Sequence, residues 1–132
     1  MPANTVPIFV LTPLAPKARI ATANAARDGT GTLGTLTTAG SNGAFYKGIR
    51  WQSEGTTTVG VIRIFIQTNG AGNFELKKEM LVPAVTPSTT VEAVSGEWYP
   101  TSGIVLGAGD LLLASTHNAE TFSVWADGGG DY

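Results

Sequence analysis

Apolar and polar side chains alternate with a period of two through most of this chain, and that rhythm restricts it to β architectures. In GVIRIFIQ, Gly60 to Gln67, the side chains of Ile62, Ile64 and Ile66 point one way, and Arg63, Phe65 and Gln67 point the other. In NFELKKEM, Phe74, Leu76 and Met80 alternate with Glu75, Lys77 and Glu79. AFYKGIRWQ puts Phe45, Ile49 and Trp51 on one face and Tyr46, Arg50 and Gln52 on the other. ETFSVWA sets Phe122, Val124 and Ala126 against Thr121, Ser123 and Trp125. Such alternation belongs to strands with one buried face.

Two lysines break the rhythm. Lys47 and Lys78 fall on the nominally apolar faces of their strands. A buried lysine without a partner is costly. The strands are therefore expected to bulge there or to reach an open sheet end, where a charge guards the edge.

Turn signals separate the runs at fairly regular spacing. They include RDGTG at 27–31, GSNG at 40–43, TNGAG at 68–72, PTSG at 100–103 and GAGD at 107–110. The segment nearest to a helix is ARIATANAAR, because alanine favours helix, but Thr22, Asn24 and the surrounding pattern read as strand. The expected strands span 6–12, 17–25, 32–38, 44–53, 58–67, 73–82, 89–95, 103–106, 110–116 and 120–126. Many short strands with Gly-rich turns predict a sandwich or barrel.

The ends look different. Four of the seven prolines, Pro2, Pro7, Pro13 and Pro16, lie in the first 16 residues. Proline lacks the amide donor of a central strand, so residues 1–16 read as an extended arm pairing at a sheet edge through Ile8, Phe9, Val10 and Leu11. Its apolar part is too short for a signal segment or a membrane span. Residues 17–126 read as the β-sandwich domain and ADGGGDY leads into a Gly-rich C-terminal tail, 127–132. Tyr132 offers a large apolar area plus a hydroxyl with which to anchor in a neighbour.

Chemistry is sparse. The glycine-rich NGAG at 69–72 would need a helix after it to hold phosphate. Instead NFELKKEM alternates with period two, and Asn-Gly between alternating runs is a hairpin corner. His117 is the sole histidine and cysteine is absent, which argues against a zinc site. Ser115, His117 and Asp110 lie too near one another in the chain to read as a triad, and no nucleophile elbow is present. Asp127 and Asp131 are weak calcium ligands, and Glu92 and Glu97 lack the setting of a glycosidase pair. No catalytic residue, cofactor, metal or small-molecule substrate is expected.

Charge supports a packing role. Only 14% of residues are charged, against a typical ~25%. Residues 1–78 carry all eight basic residues against three acids, and 79–132 carry seven acids and no base. In one reading the two halves interleave and neutralise each other; in another, a polar subunit meets its neighbours through opposite charges. The scattered basic residues and a pI near 5.2 argue against nucleic acid.

Two stretches carry a resemblance: KGIRWQSEGTTTVGVIRIFIQTNGAGNFELKKEMLVPA, Lys47 to Ala84, and YPTSGIVLGAGDLLLASTHNAETFSVWADGGGDY, Tyr99 to Tyr132. In the second, a Gly-Asp bend leads into an apolar strand, then a polar turn, then a strand ending in GGGDY. This resembles small virion proteins of tailed bacteriophages. The resemblance implies an antiparallel jelly-roll β-sandwich and a non-enzymatic capsid decoration (cement) protein. Such a protein is a homotrimer that bridges major capsid subunits on the outside of the virion after synthesis in the host cytoplasm. Ile8, Phe9, Val10, Leu11, Trp98, Trp125 and Tyr132 are the candidate inter-subunit contacts. The alternative is a receptor- or carbohydrate-binding sandwich of a tail or fibre, with Trp98 and Trp125 as exposed stacking surfaces.

Overall fold

A computed structural model describes residues 10–132; Ile8, Phe9 and the start of the arm lie outside the described residues. The Asn-Gly corner is a hairpin tip. Asn69 and Gly70 both take positive φ, 50° and 65°, in a short 3-10 turn that joins β6 (Gly60–Gln67) to β7 (Phe74–Val82). Asparagine and glycine tolerate that left-handed backbone better than other residues.

Around this hairpin the other strands nest. The first four are β1 (Thr12–Leu14), β2 (Lys17–Ile20), β3 (Gly34–Thr38) and β4 (Ala44–Tyr46). Then β5 (Gly48–Ser53) precedes the hairpin, and β8 (Ser95–Trp98) and β9 (Ile104–Leu106) come after it. The chain closes with β10 (Leu111–Thr116), β11 (Phe122–Asp127) and β12 (Gly129–Asp131). All strand ladders are antiparallel: β6 pairs with β7, β5 with β8, β3 with β10 and β2 with β11. That nesting is one long hairpin rolled over on itself, and it yields two sheets, β2-β11-β5-β8 and β3-β10-β6-β7. The fold is an all-β sandwich with jelly-roll strand order.

The third sheet, β1-β12-β4-β9, is a continuation of the first. Each of its strands is the chain neighbour of the strand in the same place in β2-β11-β5-β8. The four runs bend together along a crease at Ala15–Pro16, Gly128, Lys47 and residues 99–103. Gly128 has φ 69°, and a Cβ there would sit 2.8 Å from the Lys47 side chain. Lys47 donates its backbone N–H to the Asp127 carbonyl across the crease at 2.9 Å.

The core lies between the sheets. Ile49, Trp51, Phe122 and Val124 meet Leu36, Ile62, Ile64, Met80 and Leu112. Trp51 and Phe122 stack edge to face, with centroids 5.7 Å apart and planes at 81°. Each large side chain so buried contributes about 1.5–3 kcal/mol.

Both irregular lysines are explained. Lys78 sits where the β6–β7 register shifts, and it is exposed. Lys47 occupies the bend between β4 and β5, also exposed. The bend reverses the phase of alternation. Reading 44–53 as one strand groups Phe45 with Ile49 and Trp51, whereas Tyr46 is buried and Phe45 faces outward, half-buried.

Other expectations are corrected. The strand expected over 17–25 ends at Ile20, and the chain from Ala21 to Leu33 lies over the outward side of β6 and β10. Arg63 and Phe65, read as solvent-facing, are therefore buried. Asn24 organises this cover: its amide donates to the carbonyls of Thr30 and Thr32, both at 2.9 Å, and accepts from the Ala26 N–H. The strand expected over 89–95 starts only at Ser95. Ser88 Oγ accepts from the N–H groups of Thr90 and Val91, so that stretch turns instead of extending. Residues 127–132 are not a tail: Gly129–Asp131 form β12, held between β1 and β4. Glycines allow this, because a Cβ at Gly129 or Gly130 would overlap the backbone of Phe45 or Thr12.

The two unequal charge halves interleave. Arg27 and Arg63 both pair with Glu79, and Arg50 pairs with Glu97 and Asp127.

Candidate functional site

The arm and the C-terminal end, far apart in sequence, come together. Leu11 donates its N–H to the Asp131 carbonyl at 2.8 Å, and β1 pairs with β12 from Thr12 to Leu14. Proline in β1 fits, because β1 is an edge strand. Val10 is half-buried and Leu11 is 81% exposed. Tyr132 is half-buried beside this sheet and donates its N–H to the Gly43 carbonyl at 3.1 Å.

The outward side of this end sheet is apolar. Pro13 pairs with Gly130, Gly130 with Phe45, and Phe45 with Val105, so these four residues form one row across all four strands. Residues opposite each other on paired strands share a face. The row contains no charge. Pro13 is exposed, and Val105 is 67% exposed. Phe45 and Val105 were not among the sequence candidates. Val105 sits in a readable alternation, IVL, but Phe45 was hidden by the phase change at Lys47.

A second surface lies on the outward side of β2-β11-β5-β8. There a cross-strand row runs Lys17, Trp125, Arg50, Glu97. Trp125 walls two clefts. One, of about 580 Å³, runs along Leu14–Arg19 and Ser123–Gly128. The other, of about 550 Å³, lies over Arg50, Gln52, Ser95 and Glu97. Trp98 does not join Trp125: it pairs with inward-facing Ile49 and packs against the core.

Beside Trp125 the polar groups are tied together. Tyr99 lies over Gly48, where a side chain would collide with its ring. Its hydroxyl donates to Asp127 Oδ2 at 2.8 Å and accepts from Arg50 Nε at 2.8 Å. Arg50 also reaches Glu97 Oε2 at 3.1 Å. The bond to Asp127, with burial adding to it, raises the Tyr99 phenol above its ordinary range, and that hydroxyl stays protonated. The Tyr99 contact and then the Glu97 and Asp127 charges hold Arg50 more firmly cationic.

The residues weighed for chemistry stay apart. His117 is exposed and lies 3.4 Å from Arg63 Nη2 through its Nδ1. Ser115 is buried. Asp110 caps a turn, accepting from the N–H groups of Asn69 and Gly107. Asp131 accepts from the Gly40 N–H at 3.2 Å, while Asp127 serves Tyr99 and Arg50. Glu92 is exposed in the loop before β8, away from any ion pair among the described residues. Among the described residues no helix is long and apolar enough to cross a membrane.

A scan against protein-family models gives no match for this chain, and a search of curated proteins gives none either.

Proposed function

We propose that this protein is a non-enzymatic structural virion subunit, a decoration protein that binds the outside of a bacteriophage head as a homotrimer. Its partners in this reading are copies of itself and the major capsid protein. The observation that carries the reading is the uncharged outward row Pro13–Gly130–Phe45–Val105, bordered by exposed Leu11. Exposed apolar surface marks a contact face when it grows beyond a few hundred Å², and this row is proposed as the centre of such a face.

Magnitudes favour many weak contacts over one strong one. Four strands spaced ~4.8 Å apart and three residues long, at ~3.4 Å each, cover roughly 200 Å². A stable interface needs about 800 Å² per partner. The end sheet therefore supplies a patch, and Leu11 with further surface beside it must extend the contact. A closed trimer presents three such patches at once, and linked weak contacts then bind far more tightly than one. Subunits that bind only the intact shell shift its equilibrium toward the assembled form.

The test is co-sedimentation of purified protein with phage heads lacking it, with light scattering for the native mass. Saturable binding by a trimer, near three times 13.6 kDa, is the expected result. A monomer that does not bind heads at any concentration would refute the assignment.

A further inference from the structure

We propose that the outward face of the β2-β11-β5-β8 sheet binds a neutral oligosaccharide, with one sugar ring stacked on Trp125. The inference does not rest on the decoration reading, since it concerns a different sheet face from the end-sheet row.

Three observations converge. First, Trp125 walls both clefts, and each has a volume typical of small-ligand sites. A chain of rings laid across the indole fills one cleft on each side; a single compact ligand would leave one empty. Second, the two sides differ as the two faces of a sugar differ. Exposed Leu14 and Ala15 border the first cleft beside the indole, which suits the C–H face of a pyranose. Arg50, Gln52, Ser95 and Glu97 contribute to the second, which suits hydroxyls needing both donors and acceptors.

Third, the charges are balanced and held in place. Three cations, Lys17, Arg19 and Arg50, stand on this face with three carboxylates, Glu54, Glu97 and Asp127. Arg19 grips Glu54 through two bonds of 2.8 and 3.1 Å, and Arg50 is fixed by Glu97, Tyr99 and Asp127. A face of zero net charge gives no preference for an anionic or cationic ligand. Its polar side chains are already ordered, so a neutral polyol meets them with little further loss of entropy. Arg50 and Glu97 side by side offer a donor and an acceptor at the spacing of adjacent hydroxyls. The Gln52 amide nitrogen, tied to the carbonyls of Ser53, Ala93 and Val94, keeps the cleft wall in position.

The test is a glycan array of neutral and acidic oligosaccharides probed with the full chain, followed by calorimetric titration of the best hexasaccharide. The expected result is binding to neutral glycans, weakened about tenfold or more by Trp125→Ala, with Trp125→Phe retaining most of it. Glu97→Gln also weakens it, and unchanged thermal midpoints show that these variants fold. Four outcomes would overturn the proposal: no neutral glycan bound, acidic glycans only, binding indifferent to Trp125→Ala, or an oligomer that Trp125→Ala dissociates. The last would make this face a contact between copies.

Discussion

Asn24 and Arg63 show how one polar pair lets a sheet be covered on both sides. Arg63 is 3% exposed, and its charge is met by Glu79 at 3.0 Å and by the Asn24 carbonyl at 3.0 Å. Asn24 in turn closes the loop over it. Asn24→Ala strips three hydrogen bonds from a buried site, and groups left unpaired there cost about 1–3 kcal/mol. Urea unfolding should show that loss, while Thr30→Ala, at an exposed hydroxyl bonded to Asp28, should change stability by less than about 0.5 kcal/mol. Glu79 ties Arg63 to Arg27. Burial opposes its charged form, but the hydrogen bond and charge of Arg27, then those of Arg63, outweigh burial and hold the carboxyl below its ordinary value of 4.5. Because the folded pKa is the lower one, this contribution is complete above the unfolded value and is lost as pH falls through the folded one. Thermal midpoints measured from neutral pH down to about pH 3 should fall more steeply for the wild type than for Glu79→Gln, the gap closing below about pH 4.5. Parallel curves would remove Glu79 from the acid response. None of this was legible in GVIRIFIQ, where Arg63 reads as a solvent-facing residue. Alternation reports which side of a strand a residue takes, and a loop brought over that side by Asn24 leaves no periodic trace.

At the scale of elements, the crease was half legible. The misplaced lysine at 47 signalled an irregularity, and the structure puts a bend there. What it could not signal was the phase change, because a bend moves every later side chain to the other face. Tyr46 rather than Phe45 thus enters the core. The C-terminal strand was missed for a related reason. GGGD lacks the side chains that carry a period, and triple glycine reads as tail. Its glycines are there because neighbouring backbones come close. Gly129→Ala would drive a Cβ into the Phe45 carbonyl oxygen, which has no flexible end to give way. We expect it to cost about 3 kcal/mol or more by separating β12 from β4. Gly55→Ala meets nothing within 4 Å and sits at an ordinary φ. It should be neutral or stabilise by up to about 1 kcal/mol through the unfolded chain. Differential scanning calorimetry on both variants decides it. Equal midpoints would mean that β12 contributes nothing to the fold.

For the whole molecule, the sandwich-or-barrel class was legible in run lengths and turn spacing, because the strands that pair most extensively are the ones with clear alternation; the jelly-roll nesting was not legible in them and was implied only by the resemblance. Which surface is sticky was not legible either. It depends on the crease carrying β1, β4, β9 and β12 away from the main sheet, so that Pro13, Phe45 and Val105 line up. The sequence candidates at 10–11 and 132 border that row, Trp125 belongs to the other face, and Trp98 belongs to the core. The two faces make separable predictions. Val105 is exposed and lies on an edge strand, so Val105→Asp removes little packing and should leave the thermal midpoint nearly unchanged. It places a charge in the uncharged row, where a closed contact would have to bury it without a partner. Burying one such group costs several kcal/mol, and each 1.4 kcal/mol is a factor of ten in affinity. Val105→Asp should therefore weaken trimer formation or attachment to phage heads by about a hundredfold or more in sedimentation, while glycan binding at Trp125 persists. Trp125→Ala should do the reverse. If Val105→Asp assembles and binds heads as the wild type does, the end sheet is not the contact face. If both substitutions abolish both properties, the two faces form one surface, and neither function can be assigned to either face alone.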